Sequence, residues 1–303
     1  MPRDGRPGRR VTTAAILGTG RMGSAMAERL ASQGVDVVLY NRTRERCDPL
    51  AARLGCTVAE TPAQAAAQAD VVISMVADDD AVRELYEGDE GVPAGIRPDA
   101  VAVDMSTTLP DTIQAIAPAV RATGAGILDA PVSGSVTSTL GGELTIMVGG
   151  SADDLERARP VLDRLAKRIF HMGQLGTGAA MKLAVNTVIY GLNGALSESV
   201  ILAEHNGIDR AIAYEVLANS AVAAPFVQYK RAAFVDPDAT PVAFSLTLAE
   251  KDLRLIEQLA AESATPMPQA AINHEAIRAA MASIGPDADF AGVARYLRQA
   301  TRP

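Results

Sequence analysis

A glycine-rich hexapeptide near the start of the chain constrains the fold more than any other feature. Residues 18–23 read GTGRMG; they follow a short apolar run and precede a segment with helical spacing. In a strand–loop–helix unit of this kind, the glycines allow a tight turn and let the backbone approach a pyrophosphate, which then faces the helix N-terminus. The alternative is a glycine-rich turn that binds nothing. The expected cofactor contacts are Gly18, Thr19, Gly20, Arg21, Met22 and Gly23.

Short apolar, largely β-branched runs alternate with helical segments through the first half of the chain. They are typical of buried parallel strands joined by helices. The alternation predicts an α/β fold over residues 11–173, a Rossmann-type doubly wound parallel sheet. The runs lie at 14–17, 35–40, 71–76 and 101–105, with further strand-like runs at 126–132, 144–148 and 168–172.

The pattern becomes helical after residues 176–178 (GTG). Only two tolerated glycines interrupt residues 179–204, and 205–207 (HNG) supply a stop signal. At 1.5 Å per residue this helix is on the order of 40 Å long. Residues 174–303 are therefore expected to form an all-α domain that the long interdomain helix joins to the first. Further helices are predicted at 210–220, 246–263, 269–283 and 290–297.

Composition narrows the classes of partner. The chain has 303 residues, enough for two domains, and 28 Lys and Arg against 36 Asp and Glu give a net charge of −8. We therefore expect no nucleic-acid partner and, without an apolar run of about 18 residues, no membrane span. Two cysteines and three scattered histidines predict no metal site. Residues 1–10, basic and lacking an apolar segment, are interpreted as a disordered tail of a cytoplasmic protein, or else as a nucleic-acid-binding arm.

The end of the second predicted strand bears on the choice of cofactor. An acidic residue there would accept hydrogen bonds from an adenosine ribose, but the chain reads Asn41, Arg42 and Thr43. All three side chains can donate to a 2′-phosphate, and Arg42 can do so with a forked geometry. NADP(H) is therefore preferred and NAD(H) remains possible. The alternative is that Arg42 is a solvated loop residue.

Four motifs in order resemble the β-hydroxyacid dehydrogenase family: residues 18–30 (GTGRMGSAMAERL), 129–134 (DAPVSG), 176–186 (GTGAAMKLAVN) and 251–253 (KDL). Residues 41–43 and 251–255 are most similar to its glyoxylate and succinic semialdehyde reductases. The resemblance implies an NADPH-dependent oxidoreductase that transfers a hydride between the cofactor and a small anionic substrate. Such a substrate is a β-hydroxyacid or aldehyde acid, for example glyoxylate, succinic semialdehyde or 3-hydroxyisobutyrate.

The third motif contains the expected catalytic pair. Lys182 and Asn186 are four residues apart, so they share one face of the predicted helix. A lysine ammonium can protonate the alkoxide that hydride transfer generates, and an amide can hold the substrate oxygen and the lysine in register. The alternative is a surface lysine at an interdomain bend.

The resemblance and the strand ends imply further site residues. Ser133 and Gly134 follow the run at 126–132 and are expected to bind a substrate carboxylate, with Ser135 replacing a usual glycine. Thr107 is expected beside the nicotinamide, although Ser106 and Thr107 are also compatible with an ordinary helix cap. The other expected contacts are Met75, Val76 and Lys251 for the cofactor and Phe226, with Phe234 as a further candidate, for the substrate wall.

The sequence leaves three alternative functions to compare. Imine reductases share the architecture but usually carry Asp or Tyr where Lys182 stands, and 6-phosphogluconate dehydrogenase has His-Asn where this chain has Val185 and Asn186. A non-catalytic nucleotide-binding module would keep the glycine loop and lose the proton donor. In each case the long apolar helix needs partners, so we expect a homo-oligomer, dimer or tetramer, formed through the helical domain.

Overall fold

The structure is a computed structural model, and it describes residues 12–300. The predicted basic tail, residues 1–10, lies outside the described residues. The chain divides into two compact units at Lys182 and Leu183. Residues 174–300 contain no strand, only an isolated β-bridge between Ser245 and Asp289.

Within residues 12–300 the first unit holds nine strands in one sheet. The six strands in the order β3-β2-β1-β4-β5-β6 are parallel, with the strand order reversing between β1 and β4. That order is the Rossmann order, in which ligands bind at the reversal. The strands are β1 (Thr13–Leu17), β2 (Asp36–Tyr40), β3 (Thr57–Val58), β4 (Val71–Ser74), β5 (Val101–Asp104), β6 (Gly126–Asp129), β7 (Val132–Ser133), β8 (Leu144–Gly149) and β9 (Ala166–Gly173).

The far end of the sheet differs from the prediction of one parallel sheet. The run at 126–132 is two strands, because Pro131 lacks an N–H and the chain turns there into β7. Strand β8 pairs antiparallel with β6 and β7, and β9 runs parallel to β8. Ser133 therefore lies within the antiparallel strand β7, opposite Thr145, rather than beyond the end of a parallel strand.

Helices cover both faces of this sheet. Successive residues of β1 face opposite sides, so Ile16 belongs to one buried cluster and Leu17 to the other. The helices of the first unit are α1 (Arg21–Ser32), α2 (Asp48–Leu54), α3 (Pro62–Ala67), α4 (Asp79–Tyr86), α5 (Val92–Gly95), α6 (Pro110–Ala122), α7 (Val136–Gly141) and α8 (Ala152–Leu165).

The second unit is helical throughout its described part. Its first helix, α9, begins at the end of the first unit and has 29 residues, which gives a length of about 43 Å. The sequence pattern missed α11, which begins at a proline. The helices are α9 (Thr177–His205), α10 (Arg210–Ala218), α11 (Pro225–Val235), α12 (Leu246–Glu262), α13 (Pro268–Ile284) and α14 (Val293–Ala300).

Candidate active site

The glycine loop joins β1 to α1 and lies against the end of β4. A Cβ on Gly18, whose φ is +107°, would collide with the carbonyl oxygen of Met75, and one on Gly23 would collide with the carbonyl oxygen of Gly18. A Cβ on Gly20 would meet no atom within 4 Å, and the Gly20 side of the loop is open. Helix α1 begins at Arg21 without a side-chain cap. Its N–H groups therefore fit a dinucleotide pyrophosphate.

The loop after β2 is tied to the glycine loop through Asn41. Its Oδ1 accepts a hydrogen bond from the Thr19 N–H at 3.2 Å, and its Nδ2 donates to the Thr43 carbonyl at 2.9 Å. Arg42 is 79% exposed and its Nη1 lies 2.7 Å from a carboxylate oxygen of Glu84. Asn41 thus positions the loop, while Arg42 is the group available to a phosphate, in competition with Glu84.

A buried carboxylate, which the sequence pattern did not single out, organises the loops after β4 and β5. Asp104, 1% exposed, accepts a hydrogen bond from the Ser74 hydroxyl at 2.7 Å and from the Ser106 N–H at 3.3 Å. The Ser106 hydroxyl in turn accepts from the Val76 N–H at 3.0 Å. The two loops that contain Met75 and Thr107 are therefore joined to each other.

The start of α6 excludes the helix-cap interpretation of Ser106 and Thr107. Helix α6 begins at Pro110, and Asp79 of α4 accepts from the Leu109 N–H at 2.9 Å and from the Thr112 hydroxyl at 2.6 Å. Thr107 is half-buried in the loop between Asp104 and this helix. Its role beside a nicotinamide stays a prediction.

Burial determines the protonation behaviour of Asp104. Desolvation raises the pKa of its carboxyl group to about 6, and the nearby charge of Asp129 acts in the same direction. The hydrogen bonds from Ser74 and Ser106 oppose that rise because they stabilise the charged form. The carboxyl group therefore titrates in the mildly acidic range rather than near pH 4.

The predicted substrate loop leads from β7 into α7. Ser133 is half-buried and Gly134 is exposed. Ser135, which departs from the family pattern, caps α7, because its hydroxyl accepts from the Ser138 N–H at 3.2 Å. The departure therefore has a local structural function.

The first turn of α9 is held by Asp129, at the end of β6. Its two carboxylate oxygens accept from the N–H groups of Gly176 at 2.8 Å and Ala179 at 2.7 Å. Lys182 is half-buried on the second turn of this helix. The motif that contains Lys182 therefore begins at a fixed anchor on the sheet.

A second group of polar side chains is buried in the second unit. Asp252 Oδ2 accepts from Asn186 Nδ2 at 2.8 Å and from the Tyr190 hydroxyl at 2.9 Å, while Lys251 Nζ lies 2.8 Å from Asp252 Oδ1. A carboxylate can only accept, so the Asn186 amide must turn its NH₂ to Asp252, leaving its Oδ1 for another donor. Burial and the Asp252 charge raise the pKa of Tyr190 well above its ordinary value, so Tyr190 remains a donor.

Phe226 lies in a cluster of aromatic rings. Its ring, 2% exposed, packs on Tyr229 and Phe290 at centroid distances of 5.5 and 5.7 Å. Lys230 Nζ is buried over the Phe290 ring and bonds both Asp289 oxygens, at 2.6 and 2.8 Å. This packing buries Phe226 among other aromatic rings, and its contact with a substrate stays a prediction. Phe234 is likewise buried, against Tyr214.

The parts of these networks that depend on long-range contacts could not be found from the sequence pattern. Asp104 and Asp129 are the last residues of neighbouring strands, and their Cα atoms pair in register. Their position at the ends of two predicted strands is the signal by which the sequence could have identified them. Tyr190 had only its helical spacing from Asn186 as a signal. Among residues 12–300, His, Cys, Asp and Glu side chains form no group of three suited to a metal ion.

Comparison with known proteins agrees with this geometry. The family model described as the NAD binding domain of 6-phosphogluconate dehydrogenase matches residues 13–173. The model described as NAD-binding of NADP-dependent 3-hydroxyisobutyrate dehydrogenase matches residues 176–297. A chloroplastic glyoxylate/succinic semialdehyde reductase 2 of Arabidopsis thaliana is 34% identical over 285 residues, 94% of this chain and 79% of the relative.

Solved structures share the fold. The 3-hydroxyisobutyrate dehydrogenase of Mycobacterium tuberculosis, solved with L-serine, has a TM-score of 0.82 and 31% identity, covering 95% of this chain and 99% of that one. An imine reductase from Pseudomonas sp. has a TM-score of 0.63 and 20% identity, covering 95% of this chain and all of that one, which is a likeness of fold alone.

The glycine loop at the strand reversal, followed by a helical unit, defines a nicotinamide-dependent oxidoreductase. The resemblance found in the sequence is confirmed by matches over nearly the whole chain. The protein belongs to the β-hydroxyacid dehydrogenase family and is an NAD(P)-dependent enzyme of that family. None of the helices in the described chain combines the length and apolar character that a bilayer crossing requires.

Proposed function

We propose that the protein is an NADPH-dependent reductase of small aldehyde acids, reversible toward the corresponding β-hydroxyacid, with Lys182 as the proton donor. The observation that carries the proposal is the orientation of Asn186. It lies one helical turn after Lys182 on α9, and Asp252 turns its amide so that Oδ1 is left for a donor. A carbonyl oxygen oriented in this way can hold an ammonium or a substrate hydroxyl.

The cofactor and the chain supply different parts of the reaction. When bound, the nicotinamide supplies the hydride that reduces the substrate carbonyl carbon. The carbonyl oxygen takes on negative charge, and the Lys182 ammonium transfers a proton to it, becoming an amine that solvent reprotonates. Ser133 and Gly134 hold the substrate carboxylate, which is why the substrate class is a small acid. Uptake of the hydride and the proton yields a neutral hydroxyl group.

The preference for NADPH is supported by the chemistry at the end of β2. Arg42 is exposed at the edge beside the glycine loop, and no acidic residue follows β2 directly. An arginine at this position matches a 2′-phosphate. The Glu84 carboxylate that pairs with Arg42 is expected to exchange for that phosphate. Use of NAD(H) at lower affinity remains compatible with the loop.

The substrate is tested by NADPH oxidation with a panel of glyoxylate, succinic semialdehyde, tartronate semialdehyde and a cyclic imine. The proposal predicts turnover of at least one aldehyde acid and none of the imine. Turnover of the imine alone would make the protein an imine reductase. Tight NADPH binding without consumption in any reaction would make it a nucleotide-binding module.

We further propose a homo-oligomer formed through the helical unit of a cytoplasmic enzyme. Met181, Val188, Ala195 and Leu202 recur every seven residues along one side of α9, and all are exposed. An apolar stripe of this kind needs a partner surface, and a second copy supplies a self-complementary one. Light scattering tests it: Val188→Lys with Leu202→Lys should lower the molar mass, whereas the exposed control Gln258→Lys should not. A wild-type monomer at micromolar concentration would contradict it.

A further inference from the structure

Asp129 performs for α9 the task that a capping side chain performs for other helices. The residue before this helix is Gly176, which has no side chain, and the Thr177 hydroxyl donates instead to the Gln174 carbonyl. Asp129 reaches across from the end of β6. Its two carboxylate oxygens accept from the N–H of Gly176, directly before the helix, at 2.8 Å and from the N–H of Ala179, in the first turn, at 2.7 Å. Two of the unsatisfied donors of the helix N-terminus are thereby paired.

The space around this carboxylate allows little displacement. Asp129 is 1% exposed. A Cβ on Gly178 would collide with the carbonyl oxygen of Met147 and lie 2.9 Å from Asp129 Oδ2, and one on Gly149 would collide with Asp129 Oδ1. The first turn of α9 is therefore pressed directly onto β6 and β8. This close approach explains why position 178 requires a residue without a side chain.

The position of Lys182 follows from this contact. It comes three residues after Ala179, so it lies about 4.5 Å further along the helix axis. A rigid helix that begins at a fixed point fixes the Cα of a residue on its second turn. The negative charge of Asp129 also faces the positive end of α9, an arrangement that stabilises both.

Two charged residues bear on Asp129. Asp104 is its register partner on β5, where the charge of Asp129 acts on it, and Lys182 follows three residues after Ala179 on α9. Burial raises the pKa of the Asp129 carboxyl, and backbone N–H groups of Gly176, Ala179 and Gly178 oppose the rise. These bonds favour the charged form that accepts from both N–H groups.

We propose that Asp129 is a positioning residue for the proton donor: by anchoring the first turn of α9 to the sheet, it sets the location and the electrostatic environment of Lys182. This inference rests on the proposed role of Lys182 in the reaction. It adds a role for a residue of the 129–134 motif that does not itself contact the reacting atoms.

The test is Asp129→Asn, which keeps the size of the side chain but removes the charge and one of the two acceptors. The matched control is Asp209→Asn, because Asp209 caps α10 through the same kind of bond, to the N–H groups of Ala211 and Ile212. A second variant, Gly178→Ala, displaces the helix while keeping the carboxylate. We expect kcat to fall about 10-fold or more in Asp129→Asn and Gly178→Ala, and to stay at the wild-type value in Asp209→Asn.

The second measurement needs no turnover. The chain has only four lysines, Lys167, Lys182, Lys230 and Lys251, so acylation of each by a lysine-selective reagent can be followed by mass spectrometry across pH. Loss of the nearby anion should move the labelling midpoint of Lys182 to lower pH in Asp129→Asn, with Lys167 unmoved. NADPH affinity should stay within about 2-fold, because the carboxylate of Asp129 accepts from the start of α9 and not from the glycine loop.

The outcomes separate the inference from the proposed function. Wild-type kcat and an unmoved Lys182 midpoint in a folded Asp129→Asn variant would overturn the inference alone, provided that Lys182→Arg is inactive. Wild-type activity in Lys182→Arg would instead overturn the role of Lys182. If Asp129→Asn does not fold, the Gly178→Ala result decides, and wild-type kcat there would overturn the inference.

Discussion

Asn186 and Asp252 are joined by a 2.8 Å hydrogen bond between α9 and α12, although 66 residues separate them in sequence. The bond fixes which end of the Asn186 amide faces Asp252. The sequence shows only the spacing of Asn186 from Lys182, whereas this bond also defines the orientation of the Asn186 amide.

Replacing Asp252 with Asn should lower kcat by about 10-fold or more. An amide oxygen in place of Oδ2 would turn the new NH₂ group against the Lys251 ammonium, and one in place of Oδ1 would remove the acceptor that Asn186 and Tyr190 share. An unsatisfied buried donor should also reduce the free energy of unfolding by about 1–3 kcal/mol. Steady-state kinetics and thermal unfolding measure both effects. Tyr190→Phe is the control, since it keeps the bond to Asn186; a larger loss of kcat in this control than in Asp252→Asn would contradict the account.

Substitutions at Arg42 and at Glu84 should have opposite effects on NADPH binding. Arg42→Asp should reduce the preference for NADPH over NADH by about 10-fold or more, equivalent to about 1.4 kcal/mol, because the new charge repels a 2′-phosphate. Glu84→Gln should strengthen NADPH binding, because it releases Arg42 from its ion pair. Titration of both cofactors checks these changes, and an unchanged ratio in Arg42→Asp would remove Arg42 from the cofactor site.

Ser133→Ala should weaken the interaction with substrate by about 1.5–3 kcal/mol, the usual contribution of a hydrogen bond to a charged group. The effect should fall mainly on KM, since a carboxylate is bound equally in the ground and transition states. The control is Ser135→Ala, which removes the cap of α7. A loss of NADPH affinity with normal substrate kinetics in Ser133→Ala would contradict this assignment, because Ser133 would then contact the cofactor rather than the substrate.

Asp104 should give the protein a characteristic pH dependence of stability. Its pKa of about 6 in the folded chain exceeds the unfolded value near 3.8, so the folded state holds the proton more tightly. Stability should therefore fall as pH rises from about 4 to 6, by on the order of 3 kcal/mol, and level off above that range. In Asp104→Asn the fall in the thermal unfolding midpoint should be smaller than in the wild type, and what is left is expected from Asp129, whose pKa is also raised. An identical pH profile in both proteins would contradict the assignment.

The parts of the fold that depend on local pattern could be predicted from the sequence. The parallel strands stand out as short apolar runs, α9 is a long segment with few helix breakers before a stop signal, and the glycine loop has fixed spacing. The antiparallel pairing at β7 and β8 could not be predicted, because the break at Pro131 is decided by which strand lies beside it. Helix α11 was missed because a charged residue, Lys230, lies in the middle of its buried face, which Phe226, Val227, Ala233 and Phe234 otherwise make apolar.

The candidate site likewise contains residues that could be predicted from the sequence and residues that could not. Lys182 and Asn186 could be found because four residues set them on one helical face. Asp104, Asp129 and Asp252 act through partners 30 to 66 residues away, and only the sheet register and the helix packing bring these together. A carboxylate in a sequence does not reveal which distant N–H group it accepts from.

The most direct test of the account is single-turnover NADPH oxidation at saturating substrate across pH for wild type, Lys182→Ala and Lys182→Arg. Removal of a general acid should lower the rate by about 10²- to 10⁴-fold in the Ala variant while NADPH binding stays intact. Arginine keeps the charge but scarcely releases a proton near neutral pH, so it should not restore the rate. Wild-type rates in Lys182→Arg would contradict the account, because Lys182 would then act only as a charge that holds the substrate.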